Sequence, residues 1–143
     1  MPTTNELLPE HRQFLLEGTR TGKLGYTAAD GRPLVAPVWF TIDGEDLVFT
    51  TFTDNAKARS MRRDPRVVML VDLEAPPYGF VQVQGTAELV DDVSESRRIS
   101  TIVGGRYMGA DRADEFGKRN GVPGELTIRI RPTKVIANLN VSG

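Results

Sequence analysis

The chain has no cysteine and a single histidine, His11. The first absence removes disulfides, thiolate nucleophiles and cysteine-bound zinc or iron–sulfur clusters. The second removes most histidine-based metal sites and a Ser-His-Asp triad, so no metal site is expected. An excess of one charge is also missing: 18 basic against 19 acidic residues leave a net charge of −1. That argues against a general nucleic-acid binder, and any anion site must be a local cluster rather than a field of the whole surface. No apolar run approaches the length of a membrane span and no signal-peptide pattern opens the chain, which predicts a cytoplasmic protein without a membrane partner. Repeats, linkers and low-complexity segments are lacking too. The 143 residues therefore read as one domain, 1–143, long enough to bury a core without covalent staples.

What is present is mostly strand. Six segments alternate or run apolar between turn signals: Lys23–Thr27, Pro33–Ile42, Leu47–Phe52, Val67–Asp72, Phe80–Val90 and Glu125–Asn140, the last interrupted near Pro132. Ala29-Asp30-Gly31-Arg32 and Asp43-Gly44 are turns, and Ala75-Pro76-Pro77-Tyr78-Gly79 is a rigid loop. Short helices are expected after Pro9, where His11 is a surface residue, over Ser94–Val103 with Ser94 as cap, and over Ala110–Arg119. Gly104-Gly105-Arg106-Tyr107-Met108-Gly109 follows a helix rather than a strand, so it is no dinucleotide fingerprint and reads as a flexible connection near a substrate mouth. Strands in hairpin order with helices at the corners predict a small antiparallel barrel of the α+β class. Two strands are apolar on both faces. In Pro33–Ile42 one face carries Leu34, Ala36, Val38, Phe40 and Ile42, and the other Val35, Pro37 and Trp39; Val67–Val71 is similar. A barrel interior covers one face only, so the other needs helices, a ligand or a second chain. The polar character of the helices favours a homodimer.

The richest stretch runs from Leu47 to Asp72: LVFTTFTDNAKARSMRRDPRVVMLVD. It reads as a strand, a polar corner, a short basic helix closed by Asp64-Pro65, and a second strand. Lys57 falls in the first turn of that helix, beside Ala56, where unpaired N–H groups and the positive end of the dipole already favour an anion. Thr50, Thr51, Thr53 and Asn55 lie just upstream and can donate to the same place. The arrangement suits a phosphate. Arg59, Arg62, Arg63 and Arg66 are otherwise an ordinary solvated face, of which one or two reach a ligand.

The DGRP turn, the PVWF strand, the K-A-R-S-M-R-R-D-P-R-V junction and the VQVQGTAELV strand together resemble the pyridoxamine 5′-phosphate oxidase-like split-barrel superfamily. Within it the chain is most similar to the actinobacterial deazaflavin-dependent reductases, which use coenzyme F420. The resemblance covers roughly residues 12–138 and implies a six-stranded split β-barrel, a homodimer, and two equivalent cofactor grooves at the dimer interface. It places the cofactor phosphate at Lys57 with Thr51, Thr53, Asn55 and Ala56 around it. The flavin-like ring then lies along Pro37, Val38 and Trp39. Arg59 and Arg63 are within reach of the acidic tail, and Tyr78 and Phe80 come from the partner subunit. The expected activity is an F420H2-dependent reduction of an unsaturated or oxidised small molecule, with FMN as the alternative cofactor and a non-catalytic carrier as a third reading. True pyridoxamine phosphate oxidases carry a C-terminal arginine and histidine signature. This chain ends ANLNVSG, so pyridoxamine phosphate is a poor candidate substrate. No catalytic residue stands out, although Tyr26, Tyr78 and Tyr107 are candidate proton donors.

Overall fold

A computed structural model describes residues 3–143. Along the chain it contains β1 (Thr3–Thr4), α1 (Pro9–Leu16), β2 (Gly22–Thr27), β3 (Pro33–Val38), β4 (Thr41–Asp43), β5 (Asp46–Phe52), α2 (Ala56–Arg63), β6 (Arg66–Asp72), β7 (Phe80–Val90), α3 (Val93–Met108), α4 (Ala113–Asn120) and β8 (Glu125–Asn138). A 3₁₀ turn, Ala110–Arg112, joins α3 to α4. No helix among the described residues is long and apolar enough to cross a membrane.

All strand pairs are antiparallel, and the hydrogen-bonded path runs β3-β2-β6-β7-β8-β5-β4, with β1 pairing the far end of β8. The first and last strands of that path are consecutive in the chain, separated only by Trp39 and Phe40. Three peptide steps span at most about 11 Å. The two ends of the sheet must therefore lie side by side, and the sheet curls into a barrel. This is the expected α+β split barrel, built mainly of antiparallel strands.

The sheet has eight strands rather than six, for two reasons. Thr3–Thr4 adds a short pairing to β8 at Val135 and Ile136. The expected strand Pro33–Ile42 is broken at Trp39-Phe40, because the backbone of Phe40 bonds to α3 instead of to a strand. Its N–H donates to the Tyr107 hydroxyl at 3.4 Å, and its carbonyl accepts from Arg106 Nη1 at 2.7 Å. β8, conversely, is continuous through Pro132. Gln84 pairs with Lys134 but Gly85 with Pro132, so Thr133 is an extra residue in a bulge that spares the proline a ladder donor. A side chain at Gly85 would collide there with the Arg131 carbonyl.

The interior is filled by alternate residues of the strands, among them Leu24, Phe49, Met69, Val71, Val81, Val83, Ile128 and Ile130. Phe14 and Leu15 of α1 and Ala58 and Met61 of α2 join this core. His11 is buried rather than a surface residue: its Nδ1 accepts the Leu8 N–H at 3.1 Å and helps start α1.

The helices on the outside differ from expectation in a way that matters for the site. α3 is capped by Asp92, not Ser94; Asp92 Oδ1 accepts the backbone N–H of Ser94 at 3.0 Å and of Glu95 at 3.3 Å. The helix then continues to Met108, so the Gly104–Met108 stretch is helical and not a flexible connection. A Cβ on Gly104 would overlap Phe116, which shows how closely α4 rests on α3 at that point. α3 covers the outer face of β5 and β8, where Val48 packs with Ile99 and Val103, and α4 packs on α3.

Candidate functional site

The split in the barrel creates the site. β4 pairs with β5 up to Thr41–Val48. Beyond that point Trp39 and Phe40 lead the chain away to β3, which pairs with β2 instead. A wedge is left between Pro37–Trp39 and Thr50–Phe52. It forms a cavity of about 450 Å³, closed on the outside by Ser100, Val103 and Gly104 of α3 and Phe116, Arg119 and Asn120 of α4. Asn55 and Lys57 at the start of α2 and Glu125 at the start of β8 complete the wall.

Side chains of α3, bonded to backbone carbonyls at and just after the end of α1, hold the mouth of the wedge in place. Arg106 donates to the carbonyls of Leu15 at 2.8 Å, Gly18 at 3.1 Å and Phe40 at 2.7 Å. The Tyr107 hydroxyl donates to the Arg20 carbonyl at 2.9 Å, and burial pushes its pKa up, which keeps it a neutral donor. Trp39 stacks on the Tyr107 ring at 5.1 Å and 5°, and meets Phe116 edge-on at 5.8 Å. One side of the indole is thus fixed by helix packing while 40% of the residue stays exposed.

The anion end is built by α2. Its first intrahelical bond is from Arg59 N–H to the Asn55 carbonyl at 3.1 Å, so the N–H groups of Ala56, Lys57 and Ala58 precede the ladder. Asn55 is the N-cap residue but makes no side-chain cap bond, and its buried Oδ1 has no partner. No side chain caps the first turn, and half-buried Lys57 lines the cavity there together with Asn55 and Thr51. Glu125 is the one carboxylate on the wall among the described residues. Burial pushes its pKa up, against the opposing pull of the Thr50 hydroxyl and the Arg119 charge.

Of the residues singled out in the sequence, Pro37, Val38, Trp39, Thr51, Asn55 and Lys57 share this cavity. Ala56 is exposed at the helix start next to it. Thr53 and Arg59 are engaged locally: Arg62 binds both the hydroxyl and the carbonyl of Thr53, and Arg59 binds the Asp54 carbonyl. Arg66 pairs with Asp64 at 2.8 Å. Arg63 is exposed on the solvent side of α2. Tyr78 and Phe80 do not reach the wedge of their own chain. They line a separate surface hollow of about 680 Å³ with Leu70, Leu73 and Val141. Tyr78 is held there in the left-handed region at φ 58°, an uncommon conformation for a non-glycine residue. None of the three candidate proton donors lines the wedge: Tyr26 borders another surface hollow, Tyr78 lies as described, and the Tyr107 hydroxyl is committed to backbone. The sequence reading set Gly104–Gly109 near the substrate mouth but missed Ser100 and Val103 of α3 and the whole of α4. A usable signal was the Gly104-Gly105 pair inside an otherwise helical run, which marks close packing on a second element.

The sequence matches the pyridoxamine 5′-phosphate oxidase family over residues 7–138, nearly the whole chain, and the chain belongs to that family of split-barrel proteins. Among solved structures, an F420 reductase is 32% identical, with a TM-score of 0.68, over 90% of this chain and 98% of its own. A conserved hypothetical protein of Mycobacterium tuberculosis superposes with a TM-score of 0.81 at 23% identity, over 96% of this chain and 88% of the other. A haem storage protein of Vibrio cholerae does so at 0.71 and 20% identity, over 96% and 99%. The last two are similar in fold alone.

Proposed function

We propose that this protein is a deazaflavin-dependent reductase that uses coenzyme F420, and that the wedge is its cofactor seat. The observation that carries the reading is the uncapped first turn of α2, with Lys57, opening into a cavity walled by Pro37, Val38 and Trp39. The 32% identity with an F420 reductase over 90% of the chain supports the choice of cofactor. When bound, the reduced deazaflavin supplies a hydride equivalent to an unsaturated or oxidised small molecule. The chain's own residues bind and orient. The N–H groups of Ala56 and Lys57, the Lys57 ammonium and the Thr51 hydroxyl hold the phosphate. Pro37, Val38 and Trp39 flank the ring, and Val103 and Phe116 keep water from its outer side. Arg59 and Arg63, on the exposed side of the same helix, are placed for the acidic tail rather than for the phosphate.

The working unit in this reading is a homodimer. The outer face of β2, β3, β6 and β7 carries Val35, Pro37, Val68 and Leu70 without a helix over it, and Pro37 belongs both to that face and to the wedge. A second copy docked there would bring its Tyr78 and Phe80 to the groove of the first.

Trp39 is the sole tryptophan and lies in the cavity wall, so its fluorescence reports the site directly. Titration with F420 is expected to quench it saturably, more tightly than FMN. Saturable FMN binding without F420 binding would make the protein an FMN-dependent relative, and binding of F420 without turnover would make it a carrier. Lys57→Ala should weaken F420 binding by about 1–3 kcal/mol, the scale of a lost charge-assisted hydrogen bond. An unchanged affinity, with the fold intact by circular dichroism, returns Lys57 to the solvated surface.

A further inference from the structure

The wedge wall carries three ionisable side chains: Lys57, Arg119 and Glu125. Two cations and one carboxylate leave a formal net charge of one. We propose that Glu125 makes this cavity selective for a singly charged phosphodiester over a doubly charged phosphomonoester. The inference rests on the reading of the wedge as the cofactor seat and specifies which phosphate chemistry that seat accepts.

The backbone of Glu125 is fixed on both sides of the peptide unit. Its N–H donates to the Val122 carbonyl at 3.1 Å and its carbonyl accepts from Ser96 Oγ at 2.9 Å. In the sheet it sits opposite Phe52, the residue that leads into the corner before α2. The side chain is half-buried, and its surroundings already disfavour the charged form by desolvation. The groups around it are few. The Thr50 hydroxyl of β5 and the Arg119 guanidinium of α4 act on the carboxylate, while Lys57 of α2 and Ser100 of α3 share the cavity wall with it. Arg119 attracts the carboxylate electrostatically, and part of its charge is spent on Glu125 before any ligand arrives.

A phosphodiester brings one negative charge at any pH near neutral and matches the remaining cation. A phosphomonoester carries close to two charges above its second pKa of about 6. It would leave an uncompensated negative charge in a half-enclosed space beside Glu125, which is selection by repulsion. The two candidate cofactors differ in this group: FMN ends in a monoester, whereas the deazaflavin phosphate is a diester whose acidic tail continues outward to solvent, where its charges are screened.

The test is binding, read by Trp39 quenching at pH 8, of F420 and of FMN to the parent, Glu125→Gln and Glu125→Asp, each checked for fold by circular dichroism. The parent is expected to prefer F420. Glu125→Gln should bind FMN about fivefold to tenfold more tightly, the scale of like-charge repulsion in a partly buried space, with F420 gaining only about twofold to threefold because its phosphate carries half the charge. Glu125→Asp keeps the charge and should keep the parent's preference. Equal gains for both ligands in Glu125→Gln, no gain for FMN, or an aspartate variant that behaves like the glutamine variant would each overturn the proposal while leaving the cofactor seat standing. A parent that prefers FMN overturns the reading of the seat itself, and the selectivity with it.

Discussion

The two halves of the barrel exterior are built from similar strands and finished differently. Over β5 and β8, Val48 is fully buried beneath Ile99 and Val103, and hydroxyl pairs such as Thr50–Ser100 at 3.2 Å and Ser96–Thr127 at 3.1 Å stitch α3 to the sheet. Over the outer face of β2, β3, β6 and β7 no helix of the described residues lies across the sheet. Val35 is 70% exposed, and Val68 and Leu70 are only half-buried between Gln82 and Gln84 of β7. The first half is complete in one chain. The second carries apolar residues that one chain leaves in water, which is costly unless something covers them. The wedge lies at the boundary between the two, taking its outer wall from the finished half and Pro37 from the bare one.

The comparison predicts its largest effect in the finished half. Ile99 is fully buried between α3 and the sheet, so Ile99→Ala should cost about 2–5 kcal/mol, by lost transfer free energy plus the cavity left behind. Urea unfolding followed by circular dichroism measures this. A cost below about 0.5 kcal/mol, the range of an ordinary surface change, would mean that α3 is not the fixed cover described above and that the wedge lacks a firm outer wall.

A smaller effect is expected from acid, and it too falls on the finished half. Where α3 begins, Asp43 binds Arg98 and Arg129, each at 2.9 Å, and Asp46 binds Arg129 at 2.9 Å and Arg131 at 3.0 Å. The hydrogen bond from Arg98, with Arg129 in support, holds the Asp43 carboxyl down at about 2. A folded-state pKa below the unfolded value of about 3.9 contributes stability that is present above pH 3.9 and lost as pH falls toward 2. After allowance for solvent screening, Asp43 accounts for about 1 kcal/mol. Asp43→Asn should lower stability at pH 7 by that amount and flatten the decline in unfolding free energy between about pH 4 and pH 2.

Much of this was legible from local pattern, and the failures share one cause. The basic helix after the threonine-rich corner, the Phe80–Val90 strand and the two-faced apolar strands follow from residue spacing and turn chemistry within a few residues. Thr51, Asn55 and Lys57, grouped by that local pattern, line one cavity with Pro37, Val38 and Trp39, which only the family resemblance had joined to them. The break at Trp39-Phe40 was not legible, because a run of alternating residues gives no hint that Arg106 and Tyr107, more than sixty positions away, will claim the Phe40 backbone. Gly104-Gly105 read as a loop for the same reason: only contact with Phe116 makes glycine the better residue inside a helix. The burial of His11 and the roles of Arg119 and Glu125 likewise depend on what arrives from elsewhere in the chain.

The smallest effect on the fold, and the sharpest test of the comparison, belongs to the bare half. Val35 stands in register with Gly25, which pairs Val68 on its other side, and is largely exposed. Val35→Lys should therefore change the intrinsic stability of the chain by no more than about 0.5 kcal/mol, as for other exposed positions away from special features. Its effect should appear in association instead. Under the homodimer proposed above, the parent should scatter as a dimer at micromolar concentration and its urea midpoint should rise with protein concentration, because association stabilises by mass action. The variant should scatter near 15.8 kDa and show a midpoint independent of concentration. A parent that is already monomeric breaks the comparison at its root, since the bare face would then be an ordinary solvated surface. A variant that unfolds as readily as Ile99→Ala breaks it differently: Val35 would have to support the barrel from outside, and the two halves would differ in exposure without differing in kind.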